Sequence, residues 1–317
     1  MATPRRSQLR IAYPANFATQ SDFTTALSNG AIDALFSLVP DSEPTLEFLD
    51  KNEQIIDCTG QFKLDEIVLA RSCRLQFDIE LDADVLAGLL GWGFGTVSGA
   101  DRLLLSPTEF QPPVTSFIVG HDDAAGTKLK LKSMVLDEIT LTGRVNERVR
   151  CQVSFRGHGA PTSAGAYTFP DCSAVTPIRL SDGLFTLDGD ARLPDIRSLE
   201  FRFSNGLFFD EDPYTADSPD ITRMERKDIR DMLFTFTMFG QPGDADHTKA
   251  IGKEKVDVSW RIGAADDGVL IAAAQAILRT TGVGHDGEAR RSVVNYQAEP
   301  IRVGSDGDTP IKATVLS

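Results

Sequence analysis

The sequence is short of the residues and spacings that carry chemistry. Its four histidines, His121, His158, His247 and His285, stand at no metal-ligand spacing from one another or from a cysteine, which argues against a zinc site. Four cysteines, Cys58, Cys73, Cys151 and Cys172, include no CxxC pair. They read as reduced core thiols, with a Cys151–Cys172 bridge unsupported by anything else in the chain. A GxSxG elbow and a P-loop are both missing. Gly282-Val283-Gly284-His285-Asp286-Gly287 matches the spacing of a dinucleotide fingerprint, but no βαβ unit surrounds it, so it reads as a flexible loop. The carboxylates Asp78 and Glu80 share a strand face, yet no third group orients them as acid and base. Asp182-Gly183 and Asp188-Gly189-Asp190 are turn signals that lack the ligand count of a calcium loop. No catalytic, cofactor-binding or metal-binding residue is therefore expected, and no enzymatic activity.

Other scarcities narrow the class further. With 2 Trp and 4 Tyr, the chain offers little for stacking on sugars, which weakens a carbohydrate- or receptor-binding β-sandwich. Basic residues are outnumbered, 32 against 46 acidic, and a net charge of −14 repels a phosphate backbone. Lys128, Lys130 and Lys132 share one strand side and read as an exposed polar face. The N-terminal residues carry two arginines without an apolar run behind them, unlike a signal peptide. The longest apolar stretches, Val85–Phe94 and Val269–Leu278, are too short for a membrane span.

What the chain has in quantity is period-two alternation. In Arg74–Asp82, Leu75, Phe77, Ile79 and Leu81 alternate with polar residues, which predicts a half-buried strand. Asp82 is placed to cap a short helix over 83–90, with Gly91 just past its end. Further strands are expected at Ser116–Val119, Lys128–Val135, Glu138–Thr142, Arg148–Phe155, Ser198–Phe203 and Asp231–Phe239. In the last of these, Met232, Phe234, Phe236 and Met238 share a face. The chain's 19 Phe are core knobs on such strands. Lys255–Ile262, Ser292–Ala298 and Pro310–Val315 complete the set. Gly268–Thr281 stays open between helix, favoured by three consecutive alanines, and buried strand. Residues 1–50 read as an irregular arm, and 51–317 as one β domain containing two hairpin groups, at about 115–159 and 196–240. The expected fold is all-β, a sandwich or barrel with one short helix and long inter-strand loops.

The order of these elements resembles the tail tube (major tail) proteins of long-tailed bacteriophages. The resemblance rests on FKLDEIVLARSCRLQFDIELDADVLAGLLGWGFG, on the hairpin LKLKSMVLDEITLTGRVNERVRCQVSFRGHG, and on a second hairpin beginning IRSLEFRFSNGLFFDEDPY. It spans roughly residues 55–317 and is weakest over 241–300. It implies a structural protein of the virion tail that is made in the host cytoplasm and makes no membrane contact. Subunits of the family form stacked hexameric rings around an inner β-barrel through which DNA passes. Six copies of this chain are expected, on the view that one unit needs both hairpin groups; if the two groups are duplicated tube units, three copies complete a pseudo-sixfold ring. Implied partners are further copies and other tail proteins (tape measure, terminator, baseplate). The resemblance also favours a strand for Gly268–Thr281. Asp78, Glu80, Glu138 and Glu200, on polar strand faces, are candidates for an acidic lumen wall. Asp210, Glu211 and Asp212, in the connection 204–230, are candidates for contacts between rings. Another tube-fold component, such as a tail terminator, distal tail or baseplate hub protein, is the nearest alternative; low copy number in the virion would distinguish it.

Overall fold

The computed structural model describes residues 9–13, 32, 34–36, 38–39, 42–56, 63–104, 114–121, 128–158, 161–170, 176–209, 224–226, 230–287, 291–302 and 309–316. The fold is all-β, as the alternation predicts, with two short α-helices among the described residues. In chain order, the first half contains β1 (Leu9–Tyr13), β2 (Ala34–Leu35), β3 (Thr45–Ile56), β4 (Lys63–Glu80), α1 (Ala83–Phe94), β5 (Gly95–Ser98), β6 (Asp101–Leu104), β7 (Val114–His121), β8 (Lys128–Arg144), β9 (Arg150–His158) and β10 (Thr162–Ser163). The second contains β11 (Leu184–Leu187), β12 (Asp190–Ala191), β13 (Ile196–Ser204), β14 (Leu207–Phe209), β15 (Met224–Arg226), β16 (Asp231–Phe239), α2 (Ala245–Gly252), β17 (Lys255–Gly263), β18 (Gly268–Asp286), β19 (Arg291–Pro300) and β20 (Lys312–Leu316). All strands but β14 and β15 join one sheet.

The backbone of this sheet is an antiparallel run in the order β3–β4–β9–β8–β13–β16–β19–β18. One row of partners crosses it as Ile79, Cys151, Leu141, Phe201, Phe234, Ala298 and Leu278. All seven side chains are fully buried. The adjoining row is Glu80, Arg150, Thr142, Glu200, Thr235, Gln297 and Arg279. Period two therefore gives the sheet one apolar and one polar face. The long strands β8 and β18 continue past this run into a second layer. Their first halves pair there with β7 and with β17. The two layers enclose the core. Phe117 of β7 meets Phe155 edge-on at 4.7 Å, and Phe185 of β11 lies 5.0 Å from Phe236.

The pairing pattern repeats within the chain. The first half runs hairpin β3–β4, helix α1, then β7, β8 and β9, with β4 paired to β9. The second runs hairpin β13–β16, helix α2, then β17, β18 and β19, with β16 paired to β19. Even the bulges correspond. β7 and β8 slip register between Thr115↔Met134 and Phe117↔Leu131, and β17 and β18 do so between Val256↔Ala276 and Val258↔Ala273. In both cases two residues of the long strand face one of its partner. The hairpin group at 196–240 thus opens a second unit with its own helix and long strand.

Several local expectations are corrected. α1 continues to Phe94 and does not stop at Leu90; Gly95, at φ 94°, ends it. Gly91 and Gly93 lie inside the helix, and at Gly93 the packing demands it: a Cβ there would come within 2.8 Å of Leu136 and 3.0 Å of Phe203. The Asp82 cap is present, accepting from the Val85 N–H at 2.7 Å. Gly268–Asp286 is a single strand, so the helix alternative falls, and with it the flexible-loop reading of residues 282–286. Helix α2 was not foreseen. Parts of the supposedly irregular 1–50 region are ordered, since β1 pairs with β7 and Ile11 and Ala12 are fully buried. Cys73 and Cys151 are free, buried thiols, so Cys151 has no bridge to Cys172; Cys58 and Cys172 lie outside the described residues. Burial pushes the Cys73 thiol up to about 12, and Cys151 is also raised, by burial and then by Asp78.

Candidate assembly and channel surface

The polar face of the eight-strand run is the site of interest. Successive polar residues of β8 (Glu138, Thr140, Thr142, Arg144) and of β13 (Ser198, Glu200, Arg202, Ser204) stand side by side there in register. Among the described residues no second layer covers them: Arg144, Arg150, Gln152, Arg202 and Asp231 are solvent-exposed. A hollow in this face is lined by Asp78, Thr140, Thr142, Arg148, Arg150 and Gln152, among others.

All four carboxylates expected on a lumen wall meet on this face. Asp78 accepts from the Gln152 amide at 3.0 Å. Glu80 pairs with Arg148 at 2.6 Å, and Glu138 with Arg202 at 2.8 Å. Glu200 stands between Thr142 and Thr235 on the neighbouring strands. The sequence reading missed the arginines interleaved with them. Arg144, Arg150, Arg202 and Arg279 have the same strand parity as the carboxylates, a signal available from the alternation alone. The face is thus a charge-mixed polar wall. Paired charges a few ångströms apart project little field beyond a Debye length, so such a wall neither grips nor strongly repels phosphates. Asp210, Glu211 and Asp212 lie outside the described residues.

The ends of the run form the second part of the site. The outer edge of β3 pairs with nothing among the described residues, because β4 takes only its inner side. At the other end, β18 pairs with β19 on one side from Ala276 to Asp286. On its opposite side β17 reaches only to Ile277. The backbone of Arg279–His285 takes no strand partner on that side among the described residues. Open edges of this length are templates for another strand.

Among the described residues, no group of three or more His, Cys, Asp or Glu is placed to hold a metal, and no helix is long and apolar enough to cross a membrane. An uncovered polar sheet face with open edges is the anatomy of an assembly component. The comparison with protein families is specific: the phage tail tube protein model matches residues 58–314. The chain belongs to the phage tail tube protein family, a family of structural components of the virion tail. A search of curated proteins finds no match.

Proposed function

We propose that this chain assembles into stacked rings that form the hollow tail tube, through which phage DNA passes into the host. The observation that carries this reading is the amphipathic eight-strand sheet. Its apolar face is sealed by the protein's own second layer, and among the described residues its polar face is bare and both edges are open. A sheet of this kind removes its edges by closing with further copies into a barrel. The polar face then looks onto the channel, and Asp78, Glu80, Glu138 and Glu200 line it together with their arginine neighbours. The mixed charge suits passage of DNA, since a purely basic wall would bind phosphates in a salt-dependent grip. The connection containing Asp210, Glu211 and Asp212 is proposed to contact the adjacent ring. Tape measure, terminator and baseplate proteins are the partners this role requires.

Negative-stain microscopy of the purified protein at high concentration tests the reading. Hollow rods or rings are expected; a protein that stays monomeric at every concentration overturns it.

A further inference from the structure

The chain contains a worked example of its own assembly contact, at the junction between its two halves. There β8, the last strand of the first unit's run, pairs antiparallel with β13, the first strand of the second, from Glu138↔Ser204 to Arg144↔Ser198. The buried partners at its centre are Leu141 and Phe201. Helix α1 seals the junction: its Phe94 ring meets Phe203 edge-on at 5.1 Å, and Gly93 lies against Leu136, Ile139 and Phe203.

By the repeat, β18 stands where β8 stands and β3 where β13 stands, and these are the two strands of the run left open among the described residues. The shared bulge equates Met134 with Ala276, and therefore Leu136 with Leu278 and Leu141 with Val283. The partner row Leu136–Phe155–Leu75–Leu46 then matches Leu278–Ala298–Phe234–Phe201. Leu46 is thus the counterpart of Phe201, and Phe48 of Phe203.

We infer that the open edge of β18 pairs antiparallel with the β3 edge of a second copy of this chain, setting Val283 opposite Leu46, and that three chains close the ring. The inference rests on the tube reading above and deepens it. Three observations support the edge contact. First, the run has eight alternating strands, so β3 and β18 point in opposite directions and head-to-tail pairing continues the antiparallel order. Second, six large apolar side chains are exposed among the described residues, and four of them cluster at these two ends: Phe48 (58%), Leu49 (36%), Ile251 (64%) and Val283 (48%). Their counterparts at the internal junction, Phe203 for Phe48 and Leu141 for Val283, are fully buried. Third, Ile251 lies in the last turn of α2, as Phe94 does in α1, and so stands ready to cover the Phe48 of the incoming strand.

The copy number follows from the two units per chain. The six-unit ring implied by the resemblance needs three chains, not six. Such a ring holds 24 strands, which at the usual strand spacing and tilt measures about 50 Å between opposite backbones, ample for a duplex after side chains are added. Two chains give about 30 Å, which side chains reduce to little more than the duplex itself, and six give about 100 Å. A head-to-tail contact of this kind closes into a ring only at one copy number.

Cysteine trapping tests both parts. A chain carrying L46C and V283C is assembled, oxidised and run on a denaturing gel, with each single variant as control. A second pair, F48C with I251C, places its thiols on exposed positions and guards against misfolding of the first. Partners directly opposite in an antiparallel pair lie within disulfide reach. The expected result is a covalent ladder that ends at three chains, with a native mass of three chains for the isolated ring. A ladder running to six overturns the copy number. Assembled tubes that yield no cross-link from either pair overturn the edge contact while leaving the tube reading intact. Failure of the unsubstituted chain to assemble at all overturns the tube reading itself and this inference with it.

Discussion

At the scale of single residues, the helix α1 is held by choices that propensity alone would reject. Gly93 costs about 1 kcal/mol of helix propensity relative to Ala. It is retained because Leu136 and Phe203 occupy the space a side chain would need. A Gly93→Val substitution is expected to lower stability by about 1–3 kcal/mol, read from the urea unfolding midpoint. Equal stability would show that the helix has room to move. Asp82→Ala should cost about 1 kcal/mol through loss of its cap. Alkaline pH offers a third check. Burial raises Cys73 from 9.0 to about 12, and it raises Tyr296 from 10.0 to about 12, helped by Asp246 and Asp244 and opposed by Arg192. The folded state holds both protons more tightly than the unfolded chain does. Stability is therefore flat up to about pH 9 and falls as pH rises through 12. In Cys73→Ala the decline should still begin near pH 9, because Cys151 is also raised, but with a shallower slope, and an unchanged slope would contradict this account of Cys73. The cap was legible because Asp82 ends a clear alternation. The helix end was not, because the reason for Gly93 lies on strands far away in sequence.

At the scale of elements, alternation served where one strand face is wet and failed where both faces are covered. The strand β16 was legible because Met232, Phe234, Phe236 and Met238 share a face, and all four are buried. Phe234→Ala is expected to cost about 3–5 kcal/mol by thermal or urea unfolding, since its ring is fully buried and packs 4.9 Å from Phe201. Gly268–Asp286 carries a run of alanines that locally favours helix. Pairing with β17, β19 and β20 overrides that preference. Helix α2 escaped notice for the opposite reason: only Ala250 is buried, so ADHTKAIG has no apolar stripe to read. The polar faces were legible in part. Asp78, Glu80, Glu138 and Glu200 do share one surface, but weighing the carboxylates without the arginines of the same parity gave that surface the wrong balance of charge.

At the scale of the molecule, the sequence showed two hairpin groups of similar rhythm but left open whether they are duplicated units. Corresponding positions such as Phe155 and Ala298, or Leu75 and Phe234, agree in little beyond being apolar. What the halves share is strand order, bulge position and the register of partners, none of which composition records. The same repeat explains why the eight-strand run has an open edge at each end among the described residues, and why a match to their contact exists inside it. The most direct test of this account is a cryo-EM reconstruction of tubes assembled from the purified chain. It should show one continuous sheet of six quasi-equivalent units closed around a channel, with Asp78, Glu80, Glu138 and Glu200 of each chain facing the lumen. A tube with these four carboxylates on its outer surface, or with neighbouring subunits of one ring joined through anything other than their sheet edges, would contradict it.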